Sequence, residues 1–191
     1  MFFETVIKNI TRGAQIKASV LDEIVSDEPT NMQYLMLANL QDGIISDELP
    51  YLKGIDSKYE KYCIKNGSLV ISKNASPVKM AIVSVQEGNK ILANGNLYVI
   101  ELDKDKINPY FLKAYLESES GKAALSRVAV GATLLNLPVE GLKKVIIPLP
   151  DLESQKKIAD QYYAKLSEIK ELKYKLEKAT EELEHIYTEE K

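Results

Sequence analysis

Two hydrophobic patterns divide this sequence. Over residues 152 to about 187 there is no Gly and no Pro, and apolar residues return in alternating steps of four and three: Ile158, Tyr162, Ile169, Leu172, Leu176, Ala179, Leu183 and Ile186. One position of the stripe, Lys165, is polar, with Leu166 beside it. A stripe this narrow is the seam of a coiled coil, so the pattern predicts one long helix with a helix–helix interface along those residues. At 1.5 Å per residue, about 35 residues make a rod of roughly 50 Å, which residues 1–150 are too few to sheathe along its whole length. Asp151 is placed to cap the helix, with Glu153 favourable in its first turn. Pro148 and Pro150 hold the approach extended.

The upstream pattern is one of short apolar runs and turn signals. Residues 69–72 (LVIS) and 78–85 (VKMAIVSV) are rich in β-branched side chains, and the KNASP between them predicts a hairpin with a longish loop. NLYVIEL at 96–102 predicts a further strand, and YLMLANL and KKVIIPL are strand candidates. Short helices are expected at 19–25, 109–118 and 120–129. In the second of these Pro109 sits in the first turn and Phe111, Leu112, Tyr115 and Leu116 share a face. The expected fold is α+β: a β-rich globular body over residues 1–150, then a long C-terminal coiled-coil helix over 151–191.

Charge changes the picture by its distribution. The 191 residues carry a formal net charge of −3. Yet residues 22–60 hold nine acids against Lys53 and Lys58, whereas 61–83 hold Lys61, Lys65, Lys73 and Lys79 and no acid. One body can therefore present an acidic and a basic face. Cys63 is the single cysteine, so no internal disulfide forms, which suits a reducing, cytoplasmic setting. The N-terminus lacks the basic start and apolar core of a signal peptide. No apolar run approaches the roughly 20 residues that span a bilayer, so no membrane association is expected.

Candidate chemistry is sparse. The sole histidine, His185, has no Cys or second His at metal-ligand spacing, so no metal is expected. No glycine-rich phosphate loop, dinucleotide fingerprint or nucleophile elbow is present, so no catalytic residue is assigned. INPYF at 107–111 is similar to the Asn-Pro-Pro-aromatic motif of adenine methyltransferases, but one proline is missing and no glycine-rich strand–turn–helix precedes it. Asn108 reads better as a helix cap.

Four stretches together resemble the DNA-specificity domain of Type I restriction-modification specificity subunits. CIKNGSLVISKNASPVKMAIV resembles the family's strand, polar hairpin loop and second strand, and INPYFLKAYLESESGKAAL its helical segment. VAVGATLLNLPVEGLKKVIIPLPDLESQKKIADQYYAKLSEI resembles its most recognisable part, with Gly131, Thr133, Pro148, Pro150, Glu153 and Gln155 in place. ITRGAQI looks like its opening strand and turn. The resemblance implies a target-recognition domain for double-stranded DNA, without catalysis of its own, and a spacer helix that pairs with a second such helix. It also implies a separate modification subunit, an adenine methyltransferase, which holds S-adenosylmethionine. The family's usual subunit has two recognition domains and two helices. One domain and one helix fit a half that homodimerises, a piece of a longer subunit, or the recognition region of a fused N6-adenine methyltransferase.

Reading DNA needs cations for phosphate and polar side chains for base edges. The hairpin loop offers Lys73, Asn74, Ser76 and Lys79, and the front turn offers Arg12, Gln15 and Lys17, with Gly13 permitting close approach. Thr133, in the turn after Gly131, is a further backbone contact. The competing expectation is an assembly adaptor that works through the coiled coil and the acidic face.

Overall fold

The computed structural model describes residues 1–131, 133 and 135–186. In chain order they form β1 (Ile7–Arg12), α1 (Ala18–Ile24), β2 (Val25–Ser26), β3 (Met32–Leu35), β4 (Leu40–Gln41), β5 (Ile44–Ile45), β6 (Tyr51–Leu52), β7 (Leu69–Ser72), β8 (Met80–Ile82), β9 (Lys90–Ala93) and β10 (Leu97–Leu102). Helices α2 (Pro109–Glu117), α3 (Glu119–Val128), α4 (Val139–Lys143) and α5 (Leu152–His185) follow. The fold class is α+β, as the patterns predict.

The central sheet runs β1-β10-β7-β8 and is antiparallel. A second sheet runs β2-β6-β3-β9, with β3 and β9 parallel, and β4 and β5 form a separate hairpin. Side chains alternate across the central sheet. Leu69, Ile71, Tyr98 and Ile100 pack with α2, α3, Phe3, Ile147 and Ala159 on one side. Val70, Leu97, Val99 and Ala81 pack with Leu35, Leu40, Ile91 and Ala93 on the other. Burial on both faces explains why LVIS and NLYVIEL read as continuous apolar runs rather than alternating ones. Each fully buried Leu, Ile or Val contributes about 1.5–3 kcal/mol, so β7 and β10 are the mechanical centre of the body.

Two strand candidates end differently. YLMLANL leaves the sheet after Leu35, because the Asn39 Oδ1 accepts from the Met36 backbone N–H at 2.9 Å and turns the chain into a short 3-10 helix at Leu37–Asn39. KKVIIPL joins no sheet, because Lys143 ends α4 and Lys144 keeps helical dihedrals. Its later residues pair with the N-terminus, through Phe3 N to Val145 O and Ile147 N to Met1 O, each at 2.8 Å. Pro148 and Pro150 then lack the N–H groups a ladder would need.

The long helix begins as expected. Asp151 accepts from Ser154 N at 2.9 Å and caps α5. Its first half is docked on the body. Gln155 is 1% exposed and bonds three backbone groups: Asn108 N to its Oε1 at 2.8 Å, and its Nε2 to Lys106 O at 3.1 Å and to Pro150 O at 2.9 Å. Ala159 and Leu166 are buried one and three turns further on. Tyr163 meets Tyr110 edge to face, centroids 5.0 Å apart. Beyond them Lys170 pairs with Asp47 at 2.7 Å and Lys173 with Asp42, so the β4–β5 hairpin clasps the helix.

Two stripes therefore run along α5. At about 100° per residue, the docked positions 155, 159, 162, 166 and 173 lie roughly a quarter turn from the centre of the predicted seam. Ile158, Ile169, Leu172, Leu176, Ala179, Leu183 and Ile186 are exposed, with Leu176 at 67%. Tyr162 is the correction to the predicted seam. Its hydroxyl bonds Lys113 and Glu117 of α2, because it lies between the stripes and the nearer polar partners are on its own body.

Candidate nucleic-acid interface

Four stretches distant in sequence meet at one end of the central sheet, where β1 finishes and β10 starts. Their meeting point is the turn Asn94-Gly95-Asn96. Arg12 Nε donates to Gly95 O at 2.7 Å. Gly13 N donates to Leu97 O at 2.9 Å and Ala14 N to Ala93 O at 2.7 Å. From the hairpin loop, Lys73 N donates to Asn96 O at 2.8 Å. The segment before α4 closes the ring, with Leu137 N on Lys73 O at 2.9 Å and Ala75 N on Leu135 O at 3.0 Å. Asn136 and Val130 exchange both backbone bonds at 2.8 Å.

The rim is held backbone to backbone, which is why Gly13 is glycine. A Cβ there would lie 2.2 Å from Asn94 O and 2.6 Å from Ala93 O. Gly95 is less confined, since its Cβ would lie 2.7 Å from Gln15 Cγ, on a side chain that can yield, and 3.2 Å from Ala14 O.

Electrostatically this end is one-signed. Residues 11–17, 72–76, 93–96 and 129–137 contain Arg12, Lys17 and Lys73 and no Asp or Glu. They contain five amides: Gln15, Asn74, Asn94, Asn96 and Asn136. Cations suit phosphate and amides suit base edges, so the composition fits a nucleic-acid surface.

The structure brings together Arg12, Gln15, Lys73 and Asn74, with Ser76 at the tip of the hairpin loop. Arg12, Gln15, Ser76 and Thr133 are exposed, while Lys73 and Asn74 are half-buried. Lys17 is exposed just before α1. Lys79 is on the other leg of the same loop, its carbonyl accepting from Ser72 N at 2.8 Å, but its side chain serves a different groove. Its N–H bonds the Ser72 hydroxyl at 2.9 Å, and its side chain lines a groove with Asp42, Glu117, Lys122 and Tyr162. The Lys173 ammonium holds the Asp42 carboxyl below the usual carboxylate range, and Lys79 adds to the effect.

Sequence reasoning missed Asn96 and Asn136, both exposed on the rim. It also missed Tyr34, which is 1% exposed and accepts from Asn94 Nδ2 at 2.6 Å. Burial pushes the Tyr34 phenol up and the Asn94 bond opposes that, leaving a neutral hydroxyl at neutral pH. The ANGN turn was visible as a turn, but nothing local tied it to a tyrosine 60 residues earlier.

Among the described residues, no three His, Cys, Asp or Glu side chains gather as metal ligands would, and no helix is long and apolar enough to cross a membrane.

The architecture is a body of mixed sheets that carries one long C-terminal helix. The chain belongs to the family described as the Type I restriction modification DNA specificity domain, which matches residues 25–182. No protein of curated function matches it. Solved structures share the fold, three of them as follows. One comes from work on complex assembly and conformational transition of the type I R-M system, at 18% identity and TM-score 0.63, covering 97% of this chain and 42% of that one. The HsdS subunit from Thermoanaerobacter tengcongensis follows at 18% identity and TM-score 0.57, covering 90% and 39%. The Type-I restriction-modification S subunit from M. genitalium gives 13% identity and TM-score 0.54, covering 84% and 37%. The chain spans about two fifths of the length of these structures.

Proposed function

We propose that this chain reads the sequence of double-stranded DNA for a restriction-modification complex. It directs a separate adenine methyltransferase subunit, which supplies S-adenosylmethionine, and it joins a second recognition half through the seam of α5. The supporting observation is the acid-free rim. Arg12 and Lys73 flank a rigid turn whose neighbours present amides outward, as phosphate positioning and base reading require. The exposed stripe Ile169, Leu172, Leu176 and Leu183 supports pairing with another helix. The adaptor alternative loses part of its acidic face, since Asp42 and Asp47 are engaged by Lys173 and Lys170 of α5.

The test is fluorescence anisotropy with a labelled random-sequence duplex at low salt. Binding should weaken linearly on a log–log plot against salt, as counterion release demands. Absence of binding at low salt, alone and with an adenine methyltransferase subunit added, overturns the DNA-reading function. Methylation by that subunit that gains sequence dependence only when this chain is present supports the partnership.

A further inference from the structure

The turn Asn94-Gly95-Asn96 carries a division of labour among its amides. Asn94 is spent on structure, since its Nδ2 donates to Tyr34 and its Oδ1 accepts from Asn96 N at 2.9 Å. Asn96 is fixed by its backbone alone. Its N–H goes to Asn94 Oδ1 and its carbonyl accepts from Lys73 N. The Asn96 side chain is exposed and makes no hydrogen bond among the described residues. It stands beside Gly95, whose carbonyl accepts from the Arg12 guanidinium, and its own carbonyl is held by the backbone of Lys73.

We infer that Asn96 is a specificity-determining residue that reads an adenine edge in the major groove, and that buried Tyr34 positions it through Asn94. This rests on DNA reading as proposed above. A carboxamide offers one acceptor and two donors, which match the N6 donor and N7 acceptor of adenine in a bidentate pair. Base reading of that kind needs a side chain whose backbone is already ordered, because ordering it on contact would consume affinity. Tyr34, Asn94 and Lys73 provide that order before DNA arrives.

The experiment is enrichment from a duplex library randomised over its central window, bound by the full chain at fixed low salt and sequenced. The parent should enrich a motif containing adenine at one position or at a symmetric pair. Asn96→Ala should lose preference there by roughly 5- to 150-fold, the range a bidentate amide–base pair carries, with the other positions unchanged. Tyr34→Phe, which keeps the buried ring, should weaken the same position while binding of random duplex and its salt slope stay as in the parent. If that variant fails to fold, Asn94→Ala replaces it, with the same expectation.

An unchanged motif in Asn96→Ala overturns the reading role. A Tyr34→Phe effect spread over all positions, or absent, overturns the positioning role. A parent that binds no duplex, either alone or with an adenine methyltransferase subunit added, overturns the DNA-reading function itself, which is a different and distinguishable failure.

Discussion

Lys113 of α2 donates to the Tyr162 hydroxyl of α5 across 2.5 Å, and both are bonded to the carboxylate of Glu117. Lys113 is fully buried, so its ammonium is tolerated only because these two oxygens pair with it. Burial pulls its pKa down, and Glu117 pulls it part of the way back. A buried charged cluster adds little net stability, but it penalises any other register of α5 on α2. Tyr162→Phe should therefore cost about 1–3 kcal/mol, the penalty of an unmade buried bond. Hydrogen exchange should accelerate in the docked half of α5 while the central sheet stays protected. Unchanged protection would mean that Gln155 and Leu166 suffice to hold the helix.

Stability at alkaline pH follows from the buried phenols. Tyr34, Tyr98, Tyr110 and Tyr162 are all raised above the ordinary 10.0, chiefly by burial. A raised tyrosine keeps its proton in the folded state after the unfolded chain has lost it. Its contribution is complete below pH 10 and is lost as pH climbs beyond it. Lys113 is lowered from 10.5, so its contribution has the opposite sign: the burial penalty eases as pH rises from its folded value towards 10.5. Four phenols oppose one ammonium, so melting temperature should fall above pH 10. Circular-dichroism melts across pH 8–11 check this, and Tyr162→Phe should make the fall shallower.

The two stripes of α5 should separate by mutation. Leu176→Asp places a charge in the exposed seam and should reduce the sedimentation mass to that of one chain without lowering the melting temperature. Leu166→Asp places it in the docked stripe and should cost about 2–5 kcal/mol of folding stability. A parent that sediments as a single chain at every concentration rejects self-pairing through the seam.

Lys73 and Lys79 belong to one hairpin but should behave differently. Lys73→Ala should reduce the slope of log affinity against log salt by about one, the loss of one phosphate contact. Lys79→Ala should leave the slope unchanged, because its side chain lines the groove that holds Asp42 and Glu117. A drop with Lys79→Ala instead would move the DNA path onto that groove.

Gly13→Ala tests whether the rim is a single rigid unit. The new methyl would meet two backbone carbonyls, which have no rotamer by which to yield. A loss of about 1–3 kcal/mol in thermal melts is expected, typical of overpacking. A parent-like melt would show that the front turn moves independently of the Asn94 turn.

Much of this architecture was legible because local rules governed it. The four–three stripe, the Asp151 cap and the Asn108 cap gave α5 and α2 nearly to the residue. Asn108 Oδ1 accepts from Tyr110 N at 2.9 Å, as a cap should. What escaped was non-local or short. β2, β4, β5 and β6 have two residues each, too few for a period. The β4–β5 hairpin had a signal nonetheless: Asp42 and Gly43 take φ of 48° and 77°, as a two-residue Asp-Gly turn demands. The parallel pairing of β3 with β9 leaves no mark in either strand. Tyr162 was misplaced because its angle on the helix lies between both stripes, and only the presence of Lys113 and Glu117 decides between them. The candidate site was half legible. Basic and amide residues in the loops were visible, but which loops meet depends on β1, β7 and β10 finishing at the same end.

The rim's loops are tied to one another through main-chain atoms, so Gln15, Ser76 and Asn96 carry little of the body's stability. A lineage built on this chassis can exchange such side chains singly and inherit the rest intact. If the rim reads DNA as proposed, new preferences then arise by retuning a letter at a time, with no need to fold anew.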